Sequence, residues 1–166
     1  MKKIIIPTLI LVFLLINIRH FFSYNEIRVI PTRQNSLTLK EDIKTNDIED
    51  IVELALDITK DKLSFSPFSK NNLNVDYLDK SGKAHCWGYA AYYNAVLKRL
   101  LKSNNIHNVE IKHVRAKTHL FGFNLHQFFT HRGLIDHDIS VITNKTTGEI
   151  IYVDPSLSEV FGNIII

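Results

Sequence analysis

Gly82-Lys83-Ala84-His85-Cys86-Trp87-Gly88-Tyr89-Ala90 is the stretch that decides how this chain is read, because it sets the only cysteine where a glycine-containing loop opens into a helix. From Cys86 to about Lys102, residues Ala90, Tyr93, Leu97, Leu100 and Leu101 recur three or four apart, the spacing of one buried helical face. A free cysteine is most often just a small buried hydrophobe. The mouth of a helix is a different setting: its unpaired backbone N–H groups favour the thiolate, and the thiolate is the nucleophile. Trp87 beside it would wall a pocket, His85 would shape that pocket, and Gly88, Ala90 and Ala91 allow close packing.

Downstream, Val109 to Lys117 alternates like a half-buried strand, and Leu134 to Thr143 and Glu149 to Val153 read as two strands joined by a turn spanning Asn144 to Gly148. With an even loop centred between Lys145 and Thr146, Val141 faces Ile150, Ile139 faces Tyr152 and His137 faces Asp154. Direct partners share a face, so the carboxylate would fix the imidazole tautomer for base catalysis. Ile135, Ile139 and Val141 share the His137 face, which turns that histidine toward the core. A nucleophile on a helix and a base oriented by an acid on a hairpin form the minimal kit for thiol acyl transfer. The Cys86 backbone N–H is one oxyanion donor, and Asn72, Asn74 or Tyr77 from the preceding loop are candidates for the second.

Upstream of the cysteine, Asn46 and Glu49 form a helix-starting box. Ile48, Ile51, Val52, Ala55, Leu56 and Ile58 then carry a first helix from about Asp47 to Lys62. Ser64 to Lys83 holds Pro67, Gly82 and many Asn and Ser residues, so a long irregular connection is expected. His119 to Arg132 shows no stable period and stays open as strand, loop or lid.

The N-terminus differs. From Ile4 to Ile18 only Pro7, Thr8 and Asn17 interrupt an apolar run, flanked by Lys2, Lys3 and Arg19. Its length suits either a signal peptide or a spanning helix. No small-x-small site follows, so residues 1–22 are expected to be an uncleaved membrane anchor, with Phe21, Phe22 and Tyr24 in an aromatic belt. Residues 23–44, polar and irregular, read as a tether, and residues 45–166 as the domain. Lys2 and Lys3 place that domain outside the cytoplasm, although Arg28 and Arg33 blunt the asymmetry. Beyond the anchor 17 basic residues balance 17 acidic ones, and no basic stripe carries interleaved aromatics, which argues against nucleic acid as main partner.

Taken together, the pieces Gly82 to Ala90, Asp136-His137-Asp138-Ile139-Ser140-Val141 and Tyr152-Val153-Asp154-Pro155-Ser156 resemble the transglutaminase-like superfamily, related to papain, over about residues 70 to 158. Asp138 is a departure, standing where the family often has a small residue. The resemblance implies an α+β fold, a transglutaminase-like or papain-like core with the nucleophile at the N-terminus of a central helix packed on an antiparallel sheet. It implies Cys86 as nucleophile, His137 as general base and later acid, and Asp154 as orienter. Trp87, His85 and Tyr77 are the expected substrate-binding residues. The expected function is a membrane-anchored thiol hydrolase or acyltransferase acting on peptide or protein amide bonds through a thioester. Against it stands a catalytically inactive binding module of the same fold at a membrane. No cofactor is expected. The ligand types of His85, Cys86, His119, His126, His131, Asp136 and His137 suit zinc, but no pair has compact ligand spacing, so no metal is expected either. Oligomeric state is not encoded legibly.

Overall fold

The computed structural model describes residues 17–31, 37, 44–69, 73–130 and 134–166. Helix α1 (Ile48–Lys62) starts where the Asp47 carboxylate accepts the Glu49 backbone N–H at 2.8 Å, so Asp47 and not Asn46 is the cap. Ile51, Val52, Ala55 and Leu56 are buried along one side of it, as their spacing dictates. The connection expected to be irregular instead holds β2 (Ser64–Phe65), α2 (Val75–Ser81) and β3 (Lys83–Ala84). Strands β2 and β3 pair in parallel, Ser64 opposite Lys83 and Phe65 opposite Ala84. Two-residue strands are too short to show alternation, which is why the sequence hides them.

The long helix α3 (Cys86–Ser103) buries Tyr89, Tyr93, Val96, Leu97 and Leu100 against α1 and the sheet. That sheet is antiparallel and contains β1 (Phe22–Ile30), β4 (Val109–Leu120), β5 (Phe123–Asn124), β6 (His137–Asn144) and β7 (Ile150–Val153). Its order is β1-β4-β6-β7, with β5 folded back on the end of β4. The segment left open by sequence thus completes β4, turns at Phe121 and Gly122, both with positive φ, and runs through β5 into a 3-10 turn (Leu125–Phe128). A last helix, α4 (Pro155–Phe161), follows β7 directly. Helices packed on an antiparallel sheet make this an α+β fold.

Both faces of the central strands are buried. Ile142, Ile151 and Val153 join the core beneath α1 and α3, while Val114, Ala116, Ile139 and Val141 form a second cluster with Tyr24 and Tyr152. Strand alternation assigns His137 to the face of Ile139 and Val141, as read from the sequence, but that face covers the smaller cluster rather than the helix-side core.

The membrane anchor requires correction. Among the described residues no helix is long and apolar enough to cross a membrane, so attachment through an N-terminal helix finds no support. Residues 1–16 of the expected 1–22 anchor lie outside the described residues. The aromatic residues assigned to an interfacial belt have partners within the fold instead. Phe21 stacks on Phe121 with ring centroids 4.4 Å apart, Phe22 is buried and packs 5.6 Å from Phe161, and Tyr24 reaches the site described below. The stretch from Ser23 to Ile30, expected as the start of a tether, is most of β1, hydrogen-bonded along β4 from Phe22 opposite Leu120 to Ile30 opposite His113.

Candidate active site

Three element ends converge. Gly82 ends α2 in the left-handed region at φ 61, a conformation that glycine adopts without the cost a side chain would add. Ser64 N–H to Gly82 O at 2.8 Å and Ser66 N–H to Ala84 O at 2.7 Å then lock the chain just before His85. His85 is the N-cap of α3, its Nδ1 accepting the Trp87 backbone N–H at 3.2 Å. Cys86 is the first helical residue. Because β6 and β7 are antiparallel, the beginning of one lies beside the end of the other, so His137 (first in β6) meets Asp154 (just past β7).

The hairpin register is two residues from the expected one. Val141 pairs with Tyr152 and Thr143 with Ile150, which centres the turn between Thr146 and Thr147. A shift of two leaves every side chain on its own face, whereas a shift of one would reverse them all. His137 and Asp154 are therefore diagonal rather than direct neighbours, and they still bond: His137 Nε2 lies 2.8 Å from Asp154 Oδ2 and 3.0 Å from Oδ1. Cys86 and His137 lie close enough that each shifts the titration of the other.

Electrostatics follow from these contacts. Burial alone pushes the Cys86 thiol up, but the His137 charge, helped by the nearby His137 and His85 rings, overcomes it, and the thiol ends lowered to about 6. Burial works against a charged His137, yet Asp154 and Cys86 together hold its imidazole well above the usual range. Burial likewise disfavours the Asp154 carboxylate, and the His137 charge and the bonds from His137, Leu157 and Tyr24 keep it below the usual value. At neutral pH the pair is thus thiolate and imidazolium.

A second buried carboxylate, Asp138, lies behind the thiol, its Oδ2 4.0 Å from Cys86 Sγ. His113 Nε2 sits 3.0 Å from its Oδ1 and Arg115 3.5 Å from its Oδ2. Burial pushes Asp138 up, but these two partners hold it below the ordinary range. Its charge opposes the thiolate. Arg115 also lies 3.6 Å from Asp136, and its guanidinium sits 5.8 Å over the Trp87 ring, within cation–π reach.

Of the expected substrate-binding residues, His85 and Trp87 stand at the thiol, and Trp87 Nε1 is buried with no acceptor among the described residues. Tyr77 is not among the groups gathered there: it stands on α2 with its ring exposed. Asn74, a candidate oxyanion donor, caps α2 by accepting the Tyr77 backbone N–H at 3.1 Å, and Asn72 lies outside the described residues. Of the histidines weighed as metal ligands, His131 also lies outside them, and among the described residues no group of three acidic, histidine or cysteine side chains is placed to hold a metal ion. Tyr24, Asp138 and Ser156 were named from the sequence but given no role in the site. Asp138 and Ser156 carry a local signal, one beside His137 and the other two residues from Asp154, and the Ser156 hydroxyl lies 3.3 Å from His137 Nε2 and 3.2 Å from Asp154 Oδ1.

No protein-family model, no curated protein and no solved structure matches the chain.

Proposed function

We propose that this domain is a thiol hydrolase or acyltransferase of the transglutaminase-like kind, acting on amide bonds of peptides or proteins. The observation that carries the reading is the imidazole of His137 bonded to the buried Asp154 carboxylate beside the helix-opening thiol, whose titration that imidazole lowers.

In this mechanism the Cys86 thiolate attacks the amide carbonyl carbon, forming a C–S bond and moving the carbonyl electron pair onto oxygen. Donors at the helix mouth, the Cys86 backbone N–H first among them, stabilise that oxyanion. The His137 imidazolium gives its proton to the departing nitrogen as the C–N bond breaks, leaving a thioester and a neutral ring. The ring next takes a proton from water or from an amine attacking the thioester. Collapse breaks the C–S bond, releasing an acid or a new amide, and restores the thiolate and imidazolium. Asp154 holds the ring in the tautomer and orientation that both halves need.

A direct test incubates the chain with a glutamine-rich protein and a fluorescent primary amine. Amine incorporation, ammonia release or new N-termini report transfer, deamidation or proteolysis respectively, and Cys86→Ala and His137→Ala should show none of them while remaining folded. Full turnover by the Cys86→Ala chain would sink the proposal.

A further inference from the structure

The Asp154 carboxylate is more heavily bonded than an orienting role alone requires. Its side chain is fully buried. Oδ1 accepts the Leu157 backbone N–H at 3.0 Å and the Ser156 hydroxyl at 3.2 Å. Oδ2, the oxygen nearer His137, accepts the Tyr24 hydroxyl at 2.9 Å, across 130 positions of sequence. Tyr24 comes from the outer strand β1, where it pairs opposite Thr118 of β4, and its ring lies nearly parallel to that of Tyr152, with centroids 6.4 Å apart.

We propose that Tyr24 is a positioning residue of the thiol site, whose hydroxyl fixes the Asp154 carboxylate and shares the oxygen that binds His137. The inference rests on the thiol acyl transfer reading above. A carboxylate oxygen that spreads its charge over two donors pulls less on each, so Tyr24 weakens the grip of Asp154 on the imidazolium proton. That weakening matters in one step, when the imidazolium must release its proton to the leaving nitrogen. Burial, reinforced by the Asp154 charge and the bond to it, pushes the Tyr24 phenol far above its ordinary value, so it stays a donor wherever the protein is folded. The other titratable groups facing His137 and Asp154 are Cys86 from α3, Asp138 on the same strand and His126 from the 3-10 turn, its ring centroid 6.3 Å from that of His137. None of these three donates to Oδ2 among the described residues, so the phenol is the group that shares this oxygen with the imidazole.

The test uses iodoacetate, an anionic alkylator, on the full chain and on Tyr24→Phe, which keeps the ring and loses only the hydroxyl. The alkylation rate of Cys86 rises with pH as the thiolate forms and falls as the imidazolium that attracts the reagent loses its proton. In Tyr24→Phe the falling limb should move up by about half a pH unit or more, and turnover at the optimum should drop, because the proton is held harder. Site-specific difluorotyrosine at position 24, a stronger donor of similar shape, should move the limb down, and it decides the matter should the phenylalanine variant not fold. Falling limbs that superimpose across the three chains would overturn the proposal and leave Tyr24 a packing residue. A parent curve with a single rise at the ordinary thiol value and no fall would overturn the thiol site itself, a distinguishable failure.

Discussion

Asp154 serves His137 and Leu157 with the same oxygen: Oδ1 lies 3.0 Å from the imidazole Nε2 and accepts the Leu157 backbone N–H at 3.0 Å, so one carboxylate both orients the base and caps α4. The two jobs separate by substitution. Asp154→Asn keeps a carbonyl oxygen for the cap, but it supports the wrong imidazole tautomer, so kcat should fall roughly a thousandfold or more with little change in Tm. Asp154→Ala loses the cap as well and should unfold more easily by about 1 kcal/mol beyond the asparagine variant. Steady-state kinetics beside thermal melts check both, and an asparagine variant of near-parental activity would contradict the assignment of Asp154.

The thiol titrates at about 6, so alkylation by neutral iodoacetamide should reach half its plateau near that pH, against roughly 8.5 for a free thiol. Replacing His137 by Asn removes the charge that lowers it while leaving the burial that raises it. The midpoint should then move above the free-thiol value. A His137→Asn profile unchanged from the parent would mean that the imidazole does not govern the thiol.

The parts of this arrangement readable from sequence are those that repeat locally. Ile51, Val52, Ala55 and Leu56 announce α1, and Ala90, Tyr93, Leu97 and Leu100 announce α3, whose start at Cys86 is the expected one. Strand alternation gave the faces of His137 and Asp154 correctly while missing the register. Faces depend on parity alone, whereas register depends on the turn, which Asn144 closes by accepting the Thr146 N–H at 3.0 Å and Gly148 leaves at φ 79. β1 was hidden by its neighbourhood: an apolar run precedes it, and as an outer strand it exposes most of its side chains, so no apolar alternation marks it. The contacts of Tyr24 with Asp154 and of His113 with Asp138 join residues distant in sequence, and a periodic pattern carries no information about such pairs.

Asp138 should prove costly to remove in one way and favourable in another. Its carboxylate is paired with buried His113 and with Arg115, so Asp138→Ala, which strands both, should destabilise by about 3 kcal/mol. Asp138→Asn retains a bonding oxygen, deletes the charge that opposes the thiolate, and should lower the Cys86 midpoint further. The sign for stability is fixed by the depressed carboxylate. Its contribution is complete above the unfolded value of about 3.9 and is lost as pH falls through the lower folded value. Melting temperature against pH should therefore decline less steeply on the acid side in Asp138→Asn than in the parent. Identical acid slopes would remove Asp138 from the account.

The strand β1 supplies the last expectation, because it carries both a packing anchor and a donor to the site. Phe22 is 4% exposed and packs on Phe161 of α4, the helix that Asp154 caps. Phe22→Ala should cost about 3 to 4 kcal/mol. A chain starting at residue 45, where the sequence reading began the domain, should lose more, since β4 forfeits one neighbour from His113 to Leu120 and Asp154 forfeits the Tyr24 hydroxyl. Chemical denaturation of the three chains measures the cost directly. If the shortened chain were as stable as the full one and kept the same thiol midpoint, β1 would be an accessory to the sheet, and the site would be complete without it.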